Sequence, residues 1–179
     1  MYGLIHRAVR QMATDRLGAE HWRELSRAAD VHDDDMISAK VYSDETTMRL
    51  IGAVSAELDV PMEDMLEQFG HYWVSFAGGT AYGPMLDLAG SNLLDCLLNL
   101  DRLHAGIKLT LPDAELPSFS VLDHGRGYVN VRYSSIRVGL EPFVKGLLAG
   151  LLARFNLVGS VVAIGPSDLG IVFHVVYEG

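Results

Sequence analysis

Apolar residues recur at helical intervals through the first two-thirds of the chain, then change to strict alternation near residue 128. Leu4, Ile5, Ala8, Val9, Met12 and Leu17 fall on one helical face, so residues 2–17 are predicted to form a helix that Gly18 stops. Trp22, Leu25 and Ala29 mark the buried side of a second helix over 19–29. Residues 44–58 repeat the pattern with Met48, Leu50, Ile51 and Val54. Pro61 suits the opening of the next helix, which runs through Met65 and Phe69, continues over 71–77 and breaks at Gly78-Gly79. Ser91 or Asn92 is a predicted N-cap for a helix reaching about Leu109. The run Asp33-Asp34-Asp35 reads as a solvated turn, because adjacent carboxylates without spaced partners do not make a calcium loop.

Beyond Pro112 the period shortens. Residues 128–135 alternate apolar and polar positions, the signature of a half-buried strand. A further helix is predicted over 141–155, with Pro142 in its first turn. Residues 157–164 and 170–177 read as two strands joined into a hairpin by Gly165-Pro166-Ser167-Asp168. The expected fold class is α+β. A helical N-terminal part, about 1–60, packs on an α+β part, about 61–179, with a small antiparallel sheet, and the whole chain forms one domain.

Composition narrows the partners. A chain of 179 residues favours a single core. The net charge of −9 argues against nucleic acid and against an anionic membrane surface. The one cysteine, Cys96, allows no internal disulfide, no four-cysteine zinc site and no covalent Cys-x-x-Cys-His haem attachment. It reads as a small buried residue. The opening residues carry no secretory signal, and the greasiest stretch, Leu147–Leu152, is too short to span a bilayer. A cytoplasmic location is the expectation.

Two features carry chemistry. Leu93, Leu97, Leu100 and His104 follow at spacings of four, three and four, which puts His104 on a buried helical stripe. Such a histidine either bonds a backbone carbonyl or ligates a metal. In the strand, Val129, Val131, Tyr133 and Ser135 point inward together, and Arg137 follows in phase if the strand continues. A guanidinium that cannot shed its charge needs an anion there, either a neighbouring Asp or Glu or a ligand carboxylate. Haem would satisfy both features, with iron for the imidazole and carboxylates for the strand end.

The motifs are specific as an ordered set. They are Met1-Tyr2-Gly3-Leu4-Ile5, Tyr42-Ser43-Asp44, Phe69-Gly70-His71-Tyr72-Trp73, Asn99-Leu100-Asp101-Arg102-Leu103-His104, Pro117-Ser118-Phe119 and Tyr133-x-Ser135-x-Arg137. Over essentially its full length the chain resembles the H-NOX domains, the haem-nitric oxide/oxygen binding family that includes the sensor domain of soluble guanylate cyclase. The resemblance implies non-covalent ferrous haem b buried between the two parts of the fold. His104 matches the proximal iron ligand, and Tyr133, Ser135 and Arg137 match the residues that bind the haem propionates. Pro117 matches a proline that presses on the haem face, and Ile5 a residue packed against the distal side. Some bacterial members carry a zinc-binding cysteine cluster, which is absent from this sequence.

The gas is set by the distal pocket. A hydrogen-bond donor stabilises polar bound oxygen, and oxygen-binding members are expected to supply a tyrosine after the propionate motif. Phe143 stands at the matching position, and Val9 is the first helix's candidate; neither can donate. Trp73 carries an indole N–H and reads as a bulky pocket filler. The resemblance therefore implies a sensor of nitric oxide, and of carbon monoxide, with no catalytic activity. It signals through weakening of the iron–His104 bond, in trans, to a histidine kinase or a cyclic-di-GMP enzyme. The alternative is an oxygen-binding haem protein or a nitric oxide-oxidising enzyme that uses Trp73 as a distal donor.

Overall fold

A computed structural model describes all residues of the chain except 33–35 and 168. Helices α1 (Gly3–Leu17), α2 (Ala19–Ala28) and α3 (Asp44–Glu57) come first, followed by α4 (Met62–Gly78), α5 (Gly83–Ala89) and α6 (Leu93–Thr110). Strands β1 (Ser118–Gly125) and β2 (Tyr128–Ser134), helix α7 (Glu141–Arg154), and strands β3 (Val158–Ser167) and β4 (Gly170–Glu178) complete the chain. All strand pairs are antiparallel, in the order β1-β2-β4-β3. The fold class is α+β, as expected.

The helix boundaries follow from their caps. Ser43 accepts from Thr46 N and Asn92 accepts from Asp95 N, so each side chain satisfies an orphan donor in its helix's first turn. Pro142 stands in the first turn of α7. Two elements went unpredicted. Helix α5 is only seven residues long, too short to show a period. In β1 the alternation is interrupted by a register shift between Val121 and Asp123. The first strand of the last hairpin also runs further than expected. Gly165, placed in the turn by its sequence neighbours, lies in β3 opposite Val172. The aspartate run at 33–35 and the turn residue Asp168 lie outside the described residues.

Two buried clusters divide the interior. Ala8, Val9, Met12, Trp22, Leu50, Ile51 and Val54 fill the helical end. Leu97, Leu100, Val129, Val131, Leu148, Leu151, Phe173 and Val175 pack α6 and α7 on one face of the sheet. Helix α4 serves both, with Met65, Leu66 and Phe69 in the first cluster and Val74 in the second. Phe173 is fully buried on a central strand, so Phe173→Ala would cost roughly 3–5 kcal/mol by leaving a cavity. Cys96 is fully buried, and burial pushes its thiol up to about 11, which makes it a small apolar residue rather than a reactive one.

Helices α4 and α7 touch backbone to backbone. A Cβ at Gly70 would overlap the Phe143 carbonyl, and one at Gly146 would overlap that of Glu67. These glycines hold the α4 and α7 side chains that follow at a fixed separation. Among the described residues no helix is long and apolar enough to cross a membrane.

Candidate functional site: an apolar cavity with one histidine and a polar rim

A cavity of about 360 Å³ opens between the two clusters, within the range of small-molecule sites. Ile5, Ile51, Leu66, Phe69, Trp73, Phe143 and Leu147 form one wall. His104, Leu116, Pro117 and Phe119 form the other, and Tyr133, Ser135 and Arg137 stand with them on the lining. Eight of the nine residues singled out in the sequence therefore meet at one place. Val9 does not line the cavity; it is completely buried in the helical cluster beside Met12. It sits one helical turn beyond Ile5, and that turn carries it past the wall.

His104 meets both of its predicted fates, one at each ring nitrogen. Its Nδ1 lies 2.8 Å from the Pro117 carbonyl oxygen. A carbonyl can only accept, so Nδ1 carries the hydrogen and Nε2 of the neutral ring keeps a lone pair. Burial pushes the imidazole below its ordinary pKa, against the opposing pull of the Pro117 hydrogen bond, and so favours that neutral form. Asp101, one turn earlier on α6, accepts from Ser118 Oγ at 2.6 Å and from Phe119 N at 2.7 Å. This pins the start of β1 to α6 and keeps the Pro117 carbonyl over the ring. The Phe119 ring lies between those of His104 and Tyr133, tilted to both, with ring centroids 5.9 and 5.5 Å away.

The polar rim departs from the expected strand. β2 ends at Ser134, so Ser135 and Arg137 do not continue it in phase. Ser135 Oγ instead accepts from Arg137 N at 3.0 Å, a tight local turn that brings the guanidinium back toward the helical end. Tyr133 and Ser135 share a side-chain hydrogen bond, and burial raises the Tyr133 phenol above its ordinary pKa. Arg137 has acceptors within the protein: Nε donates to the Asp44 carboxylate Oδ2 at 2.7 Å, and Nη1 to the Glu115 backbone carbonyl at 2.6 Å. The Glu115 carboxylate lies 3.4 Å from Nη2. Asp44 also accepts from the Met1 ammonium at 2.7 Å. Burial alone would raise the Asp44 carboxyl, but the ammonium and Arg137 outweigh it and hold the group below its usual range.

Asp44, Glu115 and Asp101 were not foreseen as site residues. Asp44 and Asp101 stand inside motifs already conspicuous in the sequence, but nothing in spacing reveals a partner 93 positions away. Tyr2 also lines the cavity, and burial beside Tyr82 pushes its phenol up to about 12.

A family model described as Haem-NO-binding matches residues 2–162. The chain belongs to the H-NOX family. It is 28% identical over 157 residues to the soluble guanylate cyclase gcy-35 of Caenorhabditis elegans, covering 86% of this chain and 23% of that protein. With gcy-37 of the same organism it shares 30% identity over 151 residues, or 83% of this chain and 21% of the relative. The chain thus spans less than a quarter of the length of these two relatives. The fold superimposes on an H-NOX protein from S. oneidensis in its Fe(II)NO state, with a TM-score of 0.87 and 18% identity over the full length of both chains. An oxygen-binding H-NOX domain related to soluble guanylate cyclases matches with a TM-score of 0.82 and 17% identity, covering all of this chain and 96% of that one. H-NOX domains bind haem and act as gas sensors, and this one has the donors for that group. Among the described residues no cluster of three His, Cys, Asp or Glu could hold a bare metal ion. A single imidazole in an apolar cavity suits an iron that a macrocycle already carries.

Proposed function

We propose that this H-NOX domain is a cytoplasmic nitric oxide sensor that also takes carbon monoxide and has no catalytic activity. The observation that carries the proposal is the bare Nε2 of His104 in an apolar cavity whose polar residues gather at one rim. Haem b, held non-covalently in the ferrous state, supplies the iron position at which a diatomic gas binds. His104 would be its protein ligand, and Tyr133, Ser135 and Arg137 would receive its carboxylates. Two hydroxyls and a planar guanidinium match carboxylate oxygens. Asp44 and Glu115 keep Arg137 oriented at the rim.

The rest of the mechanism lies in the chain. His104 Nδ1, the Pro117 carbonyl and Asp101 tie α6 to the 113–117 loop. A change in tension at Nε2 is therefore felt at Pro117 and along α6, which provides the two arrangements a switch requires. Ile5, Pro117 and Phe143, on the cavity lining, would pack against the cofactor. The output passes to a separate histidine kinase or cyclic-di-GMP enzyme.

Gas choice rests on the opposite wall. Phe143 lies 5.5 Å from Phe69, ring to ring, and brings no hydrogen-bond donor to the cavity. The ferrous protein should change its absorption spectrum under nitric oxide and under carbon monoxide, and keep its unliganded spectrum in air apart from slow oxidation. A stable shift produced by air would overturn the reading. The oxygen-binding alternative rests on Trp73, whose indole N–H belongs to a residue on the cavity wall. If air does shift the spectrum and Trp73→Phe abolishes that shift, the alternative holds.

A further inference from the structure

Tyr72 stands in a motif conspicuous in the sequence, yet it takes no place on the cavity lining. Its neighbour on α4, Trp73, lines the cavity, whereas Tyr72 borders a polar surface groove with Arg16, Gln68 and His71. Phe76, one helical turn further on, meets both rings, because residues three and four apart share a helix face. Its centroid lies 5.9 Å from that of Trp73 and 6.2 Å from that of Tyr72, the latter pair stacked. Those separations are within the range of ring contact. A row of aromatic rings thus runs from the cavity wall to the surface.

The surface end of the row has a proton acceptor. The Tyr72 hydroxyl donates to Asp15 Oδ2 at 3.2 Å, and Gln11 Nε2 donates to the other oxygen of that carboxylate at 2.8 Å. Burial, and then the Asp15 charge, push the phenol up to about 12, so Tyr72 keeps its proton at rest. A tyrosine gives up an electron readily only when its phenolic proton can leave with it. Asp15 is placed to take that proton. Tyr133, which does line the cavity, hydrogen-bonds Ser135 instead, and a serine hydroxyl is no base. Tyr128 meets the Asp123 carboxylate at 3.2 Å but is not on the cavity lining.

We propose that Trp73, Tyr72 and Asp15, with Phe76 packed against both rings, form a one-electron relay that discharges the oxidising equivalents peroxide leaves on a cavity-bound haem. The relay rests on the haem reading of the cavity. Ferrous haem oxidises slowly in air, and the oxygen reduced in doing so ends as peroxide. Cleavage of a peroxide O–O bond in the cavity draws two electrons from the haem. The Trp73 ring returns one of them. The Trp73 cation then takes an electron from Tyr72 past the Phe76 ring, and the Tyr72 phenolic proton passes to the Asp15 carboxylate. One electron has moved inward, one proton sits on Asp15, and a neutral phenoxyl radical remains on Tyr72. In the groove a small enediol reductant such as ascorbate gives that radical one electron and one proton, restoring the phenol, and Asp15 releases its proton to water. A second passage returns the other electron.

The test is electron paramagnetic resonance of the ferric, haem-loaded protein frozen shortly after mixing with hydrogen peroxide. Wild type should show a tyrosyl radical, recognised by the change in its hyperfine splitting when the tyrosines are ring-deuterated. Ascorbate added before freezing should remove it. Tyr72→Phe should abolish the signal, and Trp73→Phe should reduce it. Asp15→Asn, which keeps the shape of the acceptor but not its basicity, should reduce it as well. Tyr72 and Asp15 lie off the cavity lining, so their variants should keep the wild-type haem spectrum, which separates a lost relay from lost folding. A haem-loaded protein that forms no tyrosyl radical in peroxide overturns the relay and leaves the haem reading intact. So does a tyrosyl signal that Tyr72→Phe or Asp15→Asn leaves unchanged. A chain that takes up no haem overturns the haem reading, and the relay with it.

Discussion

The two walls of the cavity are held by different physics. On the His104 wall the directions are set by hydrogen bonds: His104 to Pro117, Asp101 to Ser118 and Phe119, Arg137 to Asp44 and Glu115. On the Phe143 wall they are set by contact alone, through Phe69, Trp73, Leu66 and Ile5 and the glycine seam between α4 and α7. Hydrogen bonds have one good geometry, whereas apolar contacts tolerate exchange of similar volumes. The polar wall therefore defines which cofactor fits, and the apolar wall is where gas preference can change without loss of the cofactor.

The largest break in that contrast should come from His104→Ala. The variant should lose the spectrum of a histidine-ligated ferrous haem and regain it with added imidazole, as absorption titration would show; an unchanged spectrum would exclude His104 as the ligand. Arg137→Ala comes next. It removes a partly buried charge and leaves Asp44 with only the Met1 ammonium, so haem release to an excess of apomyoglobin should quicken by about 10–100-fold, equivalent to ~1.5–3 kcal/mol. Equal release rates would move the carboxylate contacts elsewhere. On the other wall, Phe143→Tyr adds a donor with little change of volume. It should leave haem retention within about tenfold, since burying one added hydroxyl costs about 1 kcal/mol at the low end and the His104 wall is untouched, yet allow a stable air-induced spectral shift.

The smallest effect is one of pH. Burial lowers the folded-state pKa of His104 below its unfolded value near 6.5. Below that value the unfolded chain binds the proton more readily, so the stability of the haem-free protein should fall as pH drops from about 6.5 through the lowered folded pKa. Above about 6.5 the contribution is fully present. Thermal melts of wild type and His104→Ala over this range should diverge in slope; parallel curves would mean the ring is not held neutral.

The local pattern made most of this molecule legible. Helical periodicity located six of the seven helices among the described residues, and the ordered motifs together with the helix that follows them picked out eight of the residues that line the cavity. Alternation located β2 and the last hairpin, and a bulge concealed β1. Val9 shows the limit of such reading. It shares an apolar helical face with Ile5, and only the crossing of α1 over its neighbours decides which of the two reaches the cavity.

By itself the sequence determined the fold class, the cavity imidazole and the rim of hydroxyls and guanidinium, because burial and period are local properties of a chain. The tertiary structure decided the partners. Whether Arg137 faces Asp44, which nitrogen of His104 stays bare and which face of the sheet remains uncovered all depend on groups far apart in sequence. Those contacts form only when the elements pack, and no spacing along the chain encodes their distances.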